Sequence, residues 1–207
     1  MSKKIIITGG LGYIGTELCK LYSGVSWHHK ITIIDNRFIS ERVSQIRNWN
    51  MEFVQGDILD KDLVKKYFTD ADVVHHLAGI TDVPRTKSES LLAQDEKIKE
   101  VGEIGTQNIL DVISDKCKII FPSTHVVYEG IAEVKTNIKE DEKTKPVLSY
   151  SSSKAVNENQ LKRSGKNYII LRLGSVYGFS TDSMRMDIMP NLFSKIASQN
   201  GTLKLFA

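Results

Sequence analysis

Residues 4–15 read Lys4-Ile5-Ile6-Ile7-Thr8-Gly9-Gly10-Leu11-Gly12-Tyr13-Ile14-Gly15. The unbroken β-branched run Ile5 to Thr8 marks a strand buried on both faces, and the glycines begin where it stops. Ile14, Leu18 and Leu21 then recur at helical spacing, so the chain passes from strand through a glycine-rich turn into an amphipathic helix. Unpaired N–H groups and the positive end of the helix dipole converge on that turn, and the missing β-carbons let a pyrophosphate approach the backbone. Gly10, Gly12 and Gly15 satisfy the dinucleotide pattern G-x-G-x-x-G, while Gly9, Gly12 and Gly15 give the related G-x-x-G-x-x-G.

A second apolar strand, Ile31 to Ile34, ends in Asp35, twenty residues after Gly15. A carboxylate there can accept both hydroxyls of an adenosine ribose and repels a 2′-phosphate, which favours NAD over NADP. Arg37 reads as a solvated loop arginine, with contact to a 2′-phosphate as the alternative. Ser40 to Trp49 predicts a short helix, and Met51 to Gln55 a third strand closed by Gly56 and Asp57. Asp60 predicts the cap of the next helix, whereas Asp57 stands at a strand's carboxyl end, where ligands of open α/β sheets gather. A fourth strand, Asp72 to Leu77, runs into the small residues Ala78 and Gly79. His75 and His76 point to opposite faces with no third ligand nearby, so they read as core or lining histidines and no metal site is expected. Apolar spacing from Asp95 to Ile113 predicts one long helix. Strands follow at Lys118 to Phe121 and Tyr168 to Arg172, then a helix from Asp187 to Gln199 and a last strand from Thr202 to Phe206. Strands alternating with helices predict a doubly wound, parallel, Rossmann-type α/β sheet.

The chain's 207 residues, 41% of them hydrophobic and 26% charged, fit one soluble domain with a possible appendage. A net charge of +3 from interspersed charges points to neither nucleic acid nor a membrane surface, and no apolar run is long enough to span a bilayer. Cys19 and Cys117 lack metal-type spacing, and the first strand starts almost at Met1 without a signal peptide, so a cytoplasmic protein with reduced thiols is expected.

Tyr150 and Lys154 stand at i and i+4 at the head of a further helix. On one helical face an ammonium can sit beside the phenol and draw its pKa down from about 10 toward working pH. Thr124, past the fifth strand, adds a hydroxyl that can bond the same substrate oxygen.

With these residues in view, the stretch from Thr8 to Gly15, Asp35-Asn36, the His76-Leu77-Ala78 segment and Tyr150-x-x-x-Lys154 resemble the extended short-chain dehydrogenase/reductase family. Its NAD-dependent nucleotide-sugar epimerases and dehydratases fit best, and the likeness runs from Lys4 to the last residue. It implies a dinucleotide-binding domain over residues 1–178 and the start of a small substrate lobe over 179–207. The family continues for about half as much chain again, so a fragment or a short form is expected. The resemblance assigns NAD to Gly9, Gly12, Tyr13, Ile14, Gly15, Asp35, Asn36, Asp57, Ile58, Leu77, Ala78, Gly79, Thr81 and Gly174, together with Tyr150 and Lys154. It assigns catalysis to Thr124, Tyr150 and Lys154; Thr124 stands four residues before Tyr128 as the family's hydroxyl does, and Ser123 is its rival. A nucleotide sugar would meet Arg85, Thr124, His125 and Ser175. Arg172 reads as structural, held by neighbouring carboxylates. Two departures stand out: Gly102 and Ser175 occupy positions where the family usually has Asn, which bears on cofactor affinity and on substrate identity. The family's dehydratases follow the catalytic Thr with Asp-Glu, and His125-Val126 here favours an epimerase. An NADPH-dependent reductase and a non-catalytic dinucleotide sensor are the alternatives. The helices of Asn108 and Glu158 are expected, by resemblance, to pair across a two-fold axis in a homodimer.

Overall fold

The computed structural model describes residues 2–81, 92–180 and 183–204. Six parallel strands form one sheet: β1 (Lys4–Thr8), β2 (Lys30–Asp35), β3 (Glu52–Gln55), β4 (Val73–His76), β5 (Lys118–Thr124) and β6 (Asn167–Leu173), in the order β3-β2-β1-β4-β5-β6. The chain fills the sheet outward from β1 in one direction, then returns to β1 and fills the other. This is the Rossmann order, and it opens a crevice at the carboxyl ends of β1 and β4.

Alternation along β1 sets the two layers. Ile5 and Ile7 pack with Ile31, Ile33, Cys19, Val43 and Ile46 beneath α1 (Tyr13–Tyr22) and α2 (Ser40–Asn48). Ile6 faces the other way, into Val64, Phe68, Ile109, Phe121 and Leu161, under α3 (Lys61–Phe68), α5 (Gly105–Val112) and α6 (Ser149–Arg163). Asp60 caps α3 through Oδ1, which accepts from Asp62 N at 3.0 Å and Leu63 N at 3.1 Å. None of the described helices is long and apolar enough to cross a membrane.

Two elements differ from their sequence pattern. The helix expected from Asp95 to Ile113 is divided: α4 (Leu92–Lys99) is joined to α5 by a π-helical turn, Glu100–Ile104. Gly102 causes the close approach, since a Cβ there would come within 2.4 Å of Ser153 Oγ on α6, and its carbonyl accepts from Asn157 Nδ2 at 3.0 Å. A side chain at this position would require Ser153 to move. The strand expected from Thr202 to Phe206 is not formed over residues 202–204, because its apolar alternation finds no ladder partner among the described residues; 205 and 206 lie outside them. Before that tail, α7 (Met189–Ser198) starts with Pro190 in its first turn.

Candidate active site

A continuous cleft of about 1340 Å³ follows the carboxyl edge of the sheet from the glycine turn to Tyr150. At its first end Gly9 has φ +67, and a Cβ would lie 2.8 Å from Ala78 N; at Gly15 a Cβ would lie 2.3 Å from Gly9 O. Those two positions hold the turn flat against β4 and press α1 onto it. The α1 amino end has no side-chain cap and no acidic residue in its first turn. Its orphan N–H groups, with the dipole behind them, make an anion site.

Asp35 is buried at the end of β2, its Oδ2 accepting from Leu11 N at 3.0 Å, which ties the glycine turn to β2. Its Oδ1 accepts from Arg37 N at 3.0 Å and from Arg37 Nε at 3.3 Å. Arg37 is exposed, as a solvated loop arginine should be, and its Nε also pairs with the buried carboxylate two residues before it. Asn36 Nδ2 donates to Asp57 Oδ2 at 3.1 Å, and Asp57 Oδ1 accepts from Leu59 N at 3.0 Å, so these rim residues brace each other. Ile58 belongs to the cleft floor and its side chain is core, lying where a Cβ on Gly105 would meet its Cδ1 at 2.4 Å. Ile14, Leu77, Ala78, Gly79, Thr81, Gly174 and Ser175 line the cleft. Tyr13 also lines it, but its hydroxyl turns away from the glycine turn to the Gly178 carbonyl. Arg85 lies outside the described residues.

At the second end, β5 delivers Thr124 and α6 delivers Tyr150 and Lys154 to the same wall. The adjacent hydroxyls of β5 point oppositely. Ser123 Oγ donates to buried Glu158 at 2.6 Å, while Thr124 is hydrogen-bonded to the Tyr150 phenol. Part of the Lys154 side chain still meets solvent, but its ammonium donates to Pro122 O at 2.8 Å and lies 4.4 Å from the Phe121 ring centre. Burial pushes it down to about 8. The ammonium is 5.9 Å from the Tyr150 ring centre, and it is not what acts on that phenol. Burial raises Tyr150 above its ordinary value, opposed by the charge of Arg185 and the Thr124 hydrogen bond. The depression by Lys154 expected from the i, i+4 spacing does not figure among the influences on the phenol here; the ammonium donates to the Pro122 carbonyl.

His76 is buried behind Lys154, with Nδ1 3.0 Å from Thr8 Oγ1 and Nε2 3.0 Å from Thr106 Oγ1; Thr8 Oγ1 also accepts from Ala78 N at 3.0 Å. His75, on the opposite face, lies 2.8 Å from the Tyr22 hydroxyl. His125 is not a lining residue. Thr124 starts a 3₁₀ turn, His125–Tyr128, which swings the imidazole outward so that Nδ1 donates to the Leu173 carbonyl at 3.1 Å; Val126 faces the cleft instead.

Two functional side chains escaped the sequence reading. Glu129 lies in what reads as an acidic and basic loop, yet its Oε1 accepts from Val147 N at 2.8 Å, Leu148 N at 2.7 Å and the Ser151 hydroxyl. It caps the Tyr150 helix from a distant segment. Arg185 projects into the cleft from the stretch before α7, bonding Thr81 Oγ1 at 3.3 Å and pairing with Asp187. No periodicity marks either residue; the Arg185-x-Asp187 pair was the available signal for the second.

The model of the NAD dependent epimerase/dehydratase family matches residues 5–206. The dTDP-D-glucose 4,6-dehydratase of Dictyostelium discoideum is 29% identical over 197 residues, covering 85% of this chain and 44% of that protein. The UDP-glucose 4-epimerase of Neisseria meningitidis serogroup C is 29% identical over 177 residues, covering 77% and 47%. Among solved structures, UDP-glucuronic acid 4-epimerase from Bacillus cereus, in complex with UDP-glucuronic acid and NAD, superposes with a TM-score of 0.77 at 28% identity, covering 99% of this chain and 66% of that one. The chain spans about half the length of the curated relatives it matches.

Proposed function

Because the chain belongs to the NAD dependent epimerase/dehydratase family, we propose that it serves a nucleotide-sugar epimerase that keeps NAD in the cleft and inverts one hydroxyl-bearing carbon. The observation that carries this reading is the convergence of Thr124, Tyr150 and Lys154 on the same cleft as the uncapped α1 terminus. A drug-sized pocket measures about 300–1,000 Å³. This cleft exceeds that range, which leaves room for a dinucleotide and a second nucleotide ligand. The cradle also fits a dinucleotide chemically, since Gly9 and Gly15 let the turn pack tightly beneath the uncapped α1 amino end and Asp35 stands where a ribose would lie.

NAD, when bound, supplies a hydride acceptor that can return the hydride to either face of a sugar carbon. Tyr150, as phenolate, takes the proton of the reacting sugar hydroxyl, and Thr124 orients that oxygen by hydrogen bonding. Lys154 donates to the cofactor ribose, and Arg185 adds the positive charge that favours phenolate. The segment from residue 179 onward meets the sugar through Arg185, which lines the cleft together with Ser175. Water elimination needs an acid and a base following Thr124, and those positions hold an outward imidazole and an isopropyl group.

Titration with both dinucleotides, followed by mass spectrometry on a panel of nucleotide sugars, tests the reading. NAD should bind several-fold or more tightly than NADP, and the product should keep the substrate's mass with one hydroxyl inverted. Equal or reversed affinities would promote Arg37 to a 2′-phosphate ligand. Loss of one water would make the protein a dehydratase.

The same reading includes a homodimer through α5 and α6. Asn108 and Glu158 themselves point inward, Asn108 Nδ2 donating to Ile58 O at 3.1 Å, so the contact belongs to the outward faces, where Val156 of α6 and Ile104, at the end of the π-helical turn that leads into α5, are exposed. Light scattering at micromolar concentration should give twice the chain mass; a monomer counts against pairing.

A further inference from the structure

The segment carrying Arg185 is fastened to α1 by a closed ring of hydrogen bonds. Tyr13 Oη donates to the Gly178 carbonyl, Gly178 N donates to Asn191 Oδ1 at 3.0 Å, and Asn191 Nδ2 donates to Tyr13 Oη at 3.3 Å. Asn191 Nδ2 also donates to the Arg185 carbonyl at 2.8 Å, so this buried amide is engaged through both oxygen and nitrogen. Gly178 has φ +137, a conformation side chains rarely adopt, which lets the chain present both its N–H and its carbonyl to one ring. A second strap lies one turn along α1: Ser180 Oγ donates to Glu17 Oε1 at 2.6 Å. Tyr13 and Glu17 share a face of α1 by their i, i+4 spacing.

The amino end of this helix is the anion site, and the fastened segment carries the guanidinium that reaches Thr81 and acts on Tyr150. An exposed arginine on an untethered segment would sample many positions, at a cost in side-chain and backbone entropy each time it returned. Here its own carbonyl is held by a residue that is itself held to the glycine-turn helix.

We infer that Tyr13 and Asn191 are positioning residues: their ring with Gly178 sets Arg185 against the reacting face, so that the helix receiving the cofactor phosphates and the segment meeting the sugar nucleotide behave as one body. This rests on the epimerase reading for its chemistry, though not for its structure. The Tyr13 hydroxyl, which a glycine-turn tyrosine need not carry for packing, then has a defined task.

Hydrogen exchange on the ligand-free protein tests the ring without any substrate. Tyr13→Phe removes one oxygen, and Asn191→Ala opens the ring from the other side. Each should speed exchange about tenfold in peptides covering residues 178–180 and 183–186, with α1 and the second half of α7 unchanged. Unchanged exchange in Tyr13→Phe would overturn the proposal. The functional arm reads the acid limb of the pH–rate profile, where activity rises as Tyr150 loses its proton. Arg185→Gln removes a charge that lowers the phenol pKa, so its limb moves to higher pH; Tyr13→Phe should move it the same way. The double variant should go no further than Arg185→Gln alone. Additive shifts, or an unmoved limb in Tyr13→Phe, would show the ring to be structural only. If the unaltered protein turns over no nucleotide sugar, the epimerase reading fails, and the exchange result still decides the ring.

Discussion

Tyr150→Phe is expected to lower turnover of the true nucleotide sugar by at least about a hundredfold, the ordinary scale of acid–base catalysis, while NAD affinity barely moves. The substitution keeps the ring and removes only the oxygen that Thr124 bonds and Arg185 polarises. Lys154→Ala should damage both turnover and binding, because its ammonium is enclosed at the junction of Pro122, Phe121 and Tyr150 and nothing else described there replaces the charge. Steady-state rates and a binding titration on the same preparations separate the two effects. Near-normal turnover in Tyr150→Phe would remove the phenol from its role as base.

Arg172→Leu is expected to cost about 3–5 kcal/mol of folding stability, the usual consequence of leaving a buried carboxylate without its partner. Arg172 Nε and Nη2 donate to the two oxygens of Glu158 at 2.9 and 2.7 Å, and Glu158 is 2% exposed. Burial by itself would raise the Glu158 pKa; hydrogen bonds from Arg172 and Ser123, with the charges of Arg172 and Lys162, outweigh it and hold the group below its ordinary value. A depressed carboxyl stabilises the fold above its unfolded pKa, and that stabilisation is lost as pH falls through the folded value. Denaturant unfolding near neutrality measures the loss. The double change Arg172→Leu with Glu158→Leu should recover much of it, since no charge is then stranded. A single-variant loss under about 1 kcal/mol, the surface-pair scale, would mean that Glu158 reaches solvent.

The strand, turn and helix of the amino end were legible because each depends on neighbours in sequence. The run Ile5 to Thr8, the backbone of Gly9 and the Asp60 cap are local matters, and the structure has all three. Sites that depend on distant segments were less so. Between Ser123 and Thr124 one hydroxyl had to face the cleft and the other the core, but only the position of Glu158, on another element, decides which. The family resemblance sets His125 against the substrate, and the 3₁₀ turn carries its ring outward instead. Glu129 caps a helix whose first residue is twenty positions away, and charge in a loop gives no hint of that. Gly102 reads as a lost Asn side chain, yet it is the residue that lets α6 approach.

The buried imidazole behind Lys154 has a direction. Thr8 Oγ1 accepts the Ala78 N–H, and donating its own hydrogen to His76 Nδ1 is the arrangement that leaves no hydroxyl hydrogen unpaired there. His76 then carries its single hydrogen on Nε2 and gives it to Thr106. Polarity thus runs one way from the turn after β4, through β1 and the imidazole, to the first residues of α5. Burial, reinforced by the Lys154 charge, pushes His76 down to about 3, so the ring stays neutral over the range in which Lys154 titrates. The electric field reaching Lys154 from this side is consequently constant with pH, and the ammonium titrates against a fixed dipole instead of a second variable charge.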